Sequence, residues 1–156
     1  MFKHLLVPTD GSDLSLQAVA RAASFAKEAG ARITLFYAEP DPPAAYMGMG
    51  TISAPHLDQD MHNRLDSAAK EILNAAEALV RDADVACQQV VSIGNKPHTV
   101  IIQAAEAHGC DLIFMASHGR RGLSGLLLGS ETQNVLTHSQ IPVLVYRGPK
   151  DASRES

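Results

Sequence analysis

Apolar and polar positions alternate along this chain in two rhythms that take turns. Residues 4–8 are a short apolar run closed by Pro-Thr-Asp-Gly. Ser12 then suits an N-cap, and Leu16, Val19, Ala23 and Ala26 follow at helical spacing until Gly30 stops the helix. Residues 32–38 (RITLFYA) are β-branched and aromatic, as in a buried strand. Met61, Leu65, Ala68, Ile72, Ala75 and Leu79 step by three and four, which predicts a long amphipathic helix over about 57–82. Residues 85–93 read as a third strand, and the polar Gln88 and Gln89 put it at or near a sheet edge. Pro97 fits the first turn of a helix whose apolar face is Val100, Ile101, Ala104 and Ala105 and whose stop is Gly109. Residues 111–116 (DLIFMA) are the most apolar strand, 130–138 a last helix, and 141–146 (IPVLVY) a fifth strand.

Five strands alternating with four helices predict a single α/β domain, a parallel sheet with helices on both faces. Such a sheet takes its ligand at the carboxyl ends of the strands, where strand order reverses. The pattern leaves the order open. Order 3-2-1-4-5 puts the reversal between strands one and four, and order 2-1-3-4-5 puts it between strands one and three. Residues 39–55 (EPDPPAAYMGMGTISAP) carry no periodicity and form a long loop, in which Tyr46, Met47 and Met49 could close over a ligand or pack on another chain. Residues 148–156 read as a polar, frayed tail after a domain spanning 1–147.

Composition narrows the partners. The 156 residues carry 13 Lys and Arg against 17 Asp and Glu, a net charge of −4, so nucleic acid is not expected as a partner. The longest uninterrupted apolar run, 112–116, is far short of a membrane span, and MFKHLLVPTDGS lacks the apolar core and cleavage site of a signal peptide. Cys87 and Cys110 lack metal-type spacing and read as reduced, buried thiols of a cytoplasmic protein.

The chemistry concentrates in two segments. ASHGRRGLSGLLLGSETQ (116–133) places Gly119, Gly122, Gly125 and Gly129 directly after a buried strand and ends at a helix start. Glycine lets backbone N–H groups approach an oxyanion, and a helix N-terminus adds free donors and a positive dipole end, a combination that suits phosphate. Arg120 and Arg121 could add charge, and His118 could reach ribose or phosphate. Ser130-x-x-Gln133 equally fits a capping box, in which case 119–125 is only a connection. The second segment is Pro8-Thr9-Asp10-Gly11-Ser12. Asp10 could accept from a ribose hydroxyl or hold a metal-bound water, or serve only as a turn and cap residue. The chain has no Gly-Lys-Ser/Thr of a Walker A loop and no G-x-G-x-x-G after strand one. It has no H-E-x-x-H, and His56 and His62, six apart, make no two-histidine helical face, so no metal site built from protein ligands is expected. Gly122-Leu123-Ser124-Gly125 is one residue short of a nucleophile elbow, which argues against a hydrolase.

Together these segments resemble the universal stress protein family. LLVPTDGS (5–12), SHGRRGLSGLLLGSETQNVL (117–136) and PVLVYR (142–147) carry the likeness, which extends over about residues 3–147 and is weakest at 39–82. The nucleotide-binding branch has the motif Gly, two residues, Gly, nine residues, Gly, Ser/Thr. Gly119, Gly129 and Ser130 match it, while Ala116 stands at the first Gly. An alanine there leaves a backbone contact open unless φ must be positive. The resemblance implies a Rossmann-like three-layer sandwich in order 3-2-1-4-5. It further implies an adenine nucleotide, ATP or AMP, accompanied by Mg²⁺, and a homodimer through the fifth strand, 141–146. By the same resemblance Pro8, Thr9, Asp10 and Tyr37 line base and ribose. Ala116, His118, Gly119 and Arg120 wrap ribose and phosphates, and Gly129, Ser130 and Glu131 hold phosphates. Function is then a nucleotide-dependent regulatory role in stress response, with at most slow hydrolysis. The alternatives are a dimeric interaction module without nucleotide and a slow ATPase or phosphotransferase. The latter would need a signature such as H-x-G-H or S-G-G-x-D-S near strand one, and PTDGS fits neither.

Overall fold

The structure, a computed structural model, describes residues 1–41, 55–119 and 127–149, with the side chains of 55–58 set aside. Tyr46, Met47, Met49, Arg120, Arg121, Gly122 and Gly125, and the tail from residue 150, lie outside the described residues.

Strand β1 (His4–Pro8) leads into helix α1 (Asp13–Ala29), then β2 (Arg32–Glu39), α2 (Pro55–Asp82), β3 (Cys87–Ile93), α3 (Pro97–Ala107), β4 (Leu112–Ala116), α4 (Ser130–His138) and β5 (Val143–Tyr146). All pairings are parallel and the order is β3-β2-β1-β4-β5. The predicted alternation and the 3-2-1-4-5 order both hold, and β3 is an edge strand as its glutamines indicated. The helices lie in two layers. Helices α1 and α2 cover Leu5, Val7, Ile33, Leu35, Leu112 and Phe114, while α3 and α4 cover Leu6, Phe36, Ile113 and Met115. Alternate strand residues thus feed opposite cores, as a sheet buried on both faces requires. α1 approaches closely because its inner face is small: Ser15, Ala18, Ala22 and Ala26 are all buried. Ser12 caps it, its Oγ accepting from Ser15 N at 3.3 Å, and Gly30 ends it in the left-handed region at φ 62°.

Three strand starts and one helix face differ from expectation, β2 runs one residue further, to Glu39, and α2 begins at Pro55. β3 begins at Cys87 and not at residue 85, because Val85 N turns back to Val80 O at 3.4 Å and Asp84 sits at φ 58°. β5 begins at Val143 and not at residue 141. The Ser139 hydroxyl accepts from Ile141 N at 3.0 Å and donates to Ile141 O at 2.9 Å, which removes that residue from the ladder. β4 starts one residue late because the Asp111 carboxylate accepts from the backbone N–H groups of Lys3 and His4 at 2.8 and 3.0 Å. On α2 the buried row is Ala69, Leu73, Ala76 and Val80, while Ala68 and Ala75 of the expected row are exposed. The apolar stripe is two residues wide, with pairs such as Ile72–Leu73 and Leu79–Val80, and helical spacing fits both rows.

Burial pushes the thiols of Cys87 and Cys110 up to about 11, so neither is a nucleophile at neutral pH. Among the described residues no helix is long and apolar enough to cross a membrane.

Candidate functional site

The carboxyl ends of β1 and β4 lie side by side, and strand order reverses between them. The residues after each strand are held by different means. After β1, Thr9 N donates to Phe36 O at 2.9 Å, tying the turn to β2. The Thr9 side chain is buried, with Oγ1 2.8 Å from Ser15 Oγ. Ser15 Oγ gives its proton to Ser12 O at 3.0 Å, so Thr9 is the donor to Ser15 and in turn accepts from Gly11 N at 3.2 Å. Thr9 is therefore turned inward, and only its backbone borders the crevice. Asp10 Oδ1 accepts from Ser12 N at 2.9 Å, a turn that aims the carboxylate across the crevice.

After β4, the chain is closed into a ring. Ser117 N donates to Tyr146 O at 2.8 Å, Gly129 N donates to Ser117 O at 2.8 Å, and Thr132 Oγ1 donates to Ala116 O at 3.0 Å. The end of β4 is thereby pinned to the start of α4. Ala116 has no positive φ; among the described residues Asp84 alone of the non-glycines does. The alanine in place of the first motif glycine is therefore unstrained.

The two segments meet at Gly119 and Gly129. A Cβ on Gly119 would run into the Asp10 carboxylate. A Cβ on Gly129 would lie 3.1 Å from His118 Cα, 3.2 Å from His118 Cβ and 3.3 Å from Ser117 O. Neither glycine is there for a positive φ; Gly129, extended at φ −62°, ψ 154°, is tight against backbone, whereas Gly119 faces only the movable end of the Asp10 side chain. Gly129 is itself the N-cap of α4 and has no side chain to offer. Ser130 is the first helical residue, and Gln133 Nε2 donates to Leu128 O at 3.3 Å, so the capping box that its sequence permits does not form. The first N–H groups of α4 have no carbonyl one turn back, and among the described residues no side chain caps them. That is a cradle for an anion.

The other expected residues fall into place unevenly. Pro8 is half-buried at the end of β1, and Tyr37 is half-buried on the α1–α2 side, packed on the core. His118 is half-buried, its Nδ1 3.2 Å from Ser117 Oγ. Glu131 is at the start of α4, but its carboxylate is engaged elsewhere: Oε2 accepts from His98 N at 2.7 Å and lies 2.9 Å from His98 Nδ1. It caps α3, whose own N-cap residue Lys96 makes no side-chain cap bond. Sequence reasoning missed Ser117 and Thr132, which pin the β4–α4 junction. Thr132 sits in the first turn of a helix, where a buried hydroxyl is a usable signal; Ser117 offers none.

The fold defines a class: a Rossmann-like parallel α/β domain with a crevice at the β1/β4 switch point. Within that class the chain belongs to the universal stress protein family, whose family model matches residues 1–147. Universal stress protein MJ0531 of Methanocaldococcus jannaschii is 31% identical over 150 residues, covering 96% of this chain and 85% of that one. The solved structure of MJ0577 from the same organism superposes with a TM-score of 0.81 at 28% identity, covering 97% of this chain and 99% of the other. A universal stress protein solved in complex with cAMP has a TM-score of 0.64 at 25% identity, covering 92% and 95%.

Proposed function

We propose that this protein binds an adenine nucleotide, ATP or AMP, with Mg²⁺ accompanying ATP, and that occupancy regulates its interactions in stress response. The observation that carries the reading is the uncapped start of α4, where Gly129 leaves room for phosphate against the pinned Ser117–His118 backbone. The cAMP-bound relative adds support for an adenine ligand. The backbone N–H groups of Ser130 and Glu131 take the phosphates, and His118, Gly119 and Ala116 border ribose and phosphate. Asp10 accepts from the ribose hydroxyls, and the backbone of Pro8, Thr9 and Tyr37 borders the base. Arg120, from the same motif, adds a cation. Mg²⁺ is held through phosphates and water, as expected for a hard cation with few protein ligands.

Asp10 and His118, the titratable side chains described at the crevice, serve ribose and phosphate in this reading and not an attacking water, so hydrolysis is slow. The edge strand β5 offers its unpaired side to a second copy, giving a homodimer, and the protein works in the cytoplasm. Calorimetric titration with Mg·ATP tests the reading, after any co-purified nucleotide is removed. Micromolar binding is expected. Absence of heat up to millimolar ATP at two temperatures would overturn it, and a turnover above about 1 s⁻¹ would contradict the regulatory assignment.

A further inference from the structure

The starts of α3 and α4 share one acid. α4 carries Glu131 in its first turn. α3 has no acid in its first turn, and Lys96, a cation, stands at its N-cap without a side-chain cap bond. The first N–H groups of each helix lack main-chain partners, and the positive end of the helix dipole attracts anions to them. A first-turn carboxylate stabilises the helix that carries it, so the local preference of the Glu131 side chain is the start of α4.

It is found on α3 instead. Glu131 Oε2 accepts from His98 N at 2.7 Å and lies 2.9 Å from His98 Nδ1. Ionised, the carboxylate can only accept, so Nδ1 carries the proton of that second contact. The His98 ring is itself held. His138, the last residue of α4, stacks on it with centroids 6.0 Å apart and planes 26° from parallel. The His98 side chain is 19% exposed and that of Glu131 41%, so the ring is fixed while the carboxylate keeps room to swing.

We infer that His98 is a positioning residue for the anion cradle: it draws the Glu131 carboxylate onto α3 and so keeps the first N–H groups of α4 open to phosphate. This rests on the reading of α4 as the phosphate site and adds what holds a competing carboxylate off it. Carboxylate and phosphate would use the same donors, and like charges brought together at one helix start repel. Because Glu131 is the second residue of α4, its backbone N–H stays in the cradle while its side chain leaves. On α3 the same charge meets the free N–H of His98 and the positive end of a helix that has no acid of its own.

Two readouts test this, one of them without nucleotide. In the nucleotide-free protein, His98→Asp should drive the Glu131 carboxylate off α3, since two carboxylates at one helix start repel. The backbone amide resonances of Ser130, Glu131 and Thr132 should then shift. Hydrogen exchange of at least one of them should slow about tenfold, the protection that one charge-assisted hydrogen bond supplies. His98→Ala, which keeps the backbone contact, should give the same changes at smaller amplitude, so the test does not depend on one variant. In calorimetry with Mg·ATP, His98→Asp should weaken binding about tenfold and His98→Ala about threefold. Adding Glu131→Gln to His98→Asp should restore wild-type affinity, because no carboxylate is left to compete. A merely structural role for His98 would leave that double variant as weak as the single one. Amide resonances at 130–132 that stay fixed in both His98 variants, or a loss of affinity that Glu131→Gln does not recover, would overturn the inference. Absence of Mg·ATP binding by the wild-type protein would overturn the nucleotide reading alone, because the amide readout still decides where the carboxylate sits.

Discussion

Two helices begin at the same crevice, and they begin differently. α1 closes its own N-terminus: Ser12 Oγ accepts from Ser15 N, and Asp10 Oδ1 accepts from Ser12 N. α4 starts at Gly129, which has no side chain to close it, and the one nearby carboxylate of its first turn, Glu131, is turned to His98 on α3. In α1 the cap takes one of the free first-turn donors, Ser15 N, and that end of the helix is architecture. A helix that begins on a glycine keeps its donors for something that arrives later. The crevice therefore has one structural wall, closed by a side-chain cap, and one wall whose helix start carries no such cap among the described residues.

The sharpest way to break this contrast is Gly129→Val. Its Cβ would stand 3.1 Å from His118 Cα, and the added methyls would fill the approach to the first N–H groups of α4. Mg·ATP affinity should fall about 100-fold, or about 2.7 kcal/mol, in a protein that is still folded by circular dichroism. Unchanged affinity in that folded variant would remove the phosphate assignment. Gly119→Ala should come next, at about tenfold, because its methyl would displace the Asp10 carboxylate. The structural wall should answer in stability instead. Ser12→Ala should cost about 1 kcal/mol in urea unfolding, with nucleotide affinity little changed. Ser130→Ala should be the mildest. As a first helical residue and not a cap, it should alter stability by less than about 0.5 kcal/mol. A loss there as large as at Ser12 would mean that Ser130 does cap α4, and the contrast would collapse.

Much of this was legible in the sequence because the signals were local. Gly30 and Gly109 mark helix ends by their positive φ of 62° and 66°, and Pro97 marks a start. The strands read as short apolar runs, so order of elements and layer class followed from periodicity. What was illegible depended on contacts distant in sequence or on choices between equivalent neighbours. Spacing along α2 could not say which of two adjacent rows faces the sheet. Nothing near residue 131 announces that its carboxylate will reach His98, 33 positions away. The helix over 130–138 is found where it was expected, but the alternative reading of a capping box at Ser130 fails because Gly129, and not Ser130, is the N-cap. The resemblance places Thr9 along base and ribose, but its hydroxyl is engaged by Ser15 on the first turn of α1.

The pinned junction after β4 has a consequence for how the protein can change over time. Because Gly129 N is bonded to Ser117 O and Thr132 Oγ1 to Ala116 O, the two ends of the intervening stretch are fixed to each other by contacts it does not itself contribute. Whatever is inserted between them cannot pull on the sheet, and doubling its length costs only about 0.6 kcal/mol of closure entropy. The stretch can thus change in length while the junction between β4 and α4 stays pinned, so the rest of the fold remains the same host.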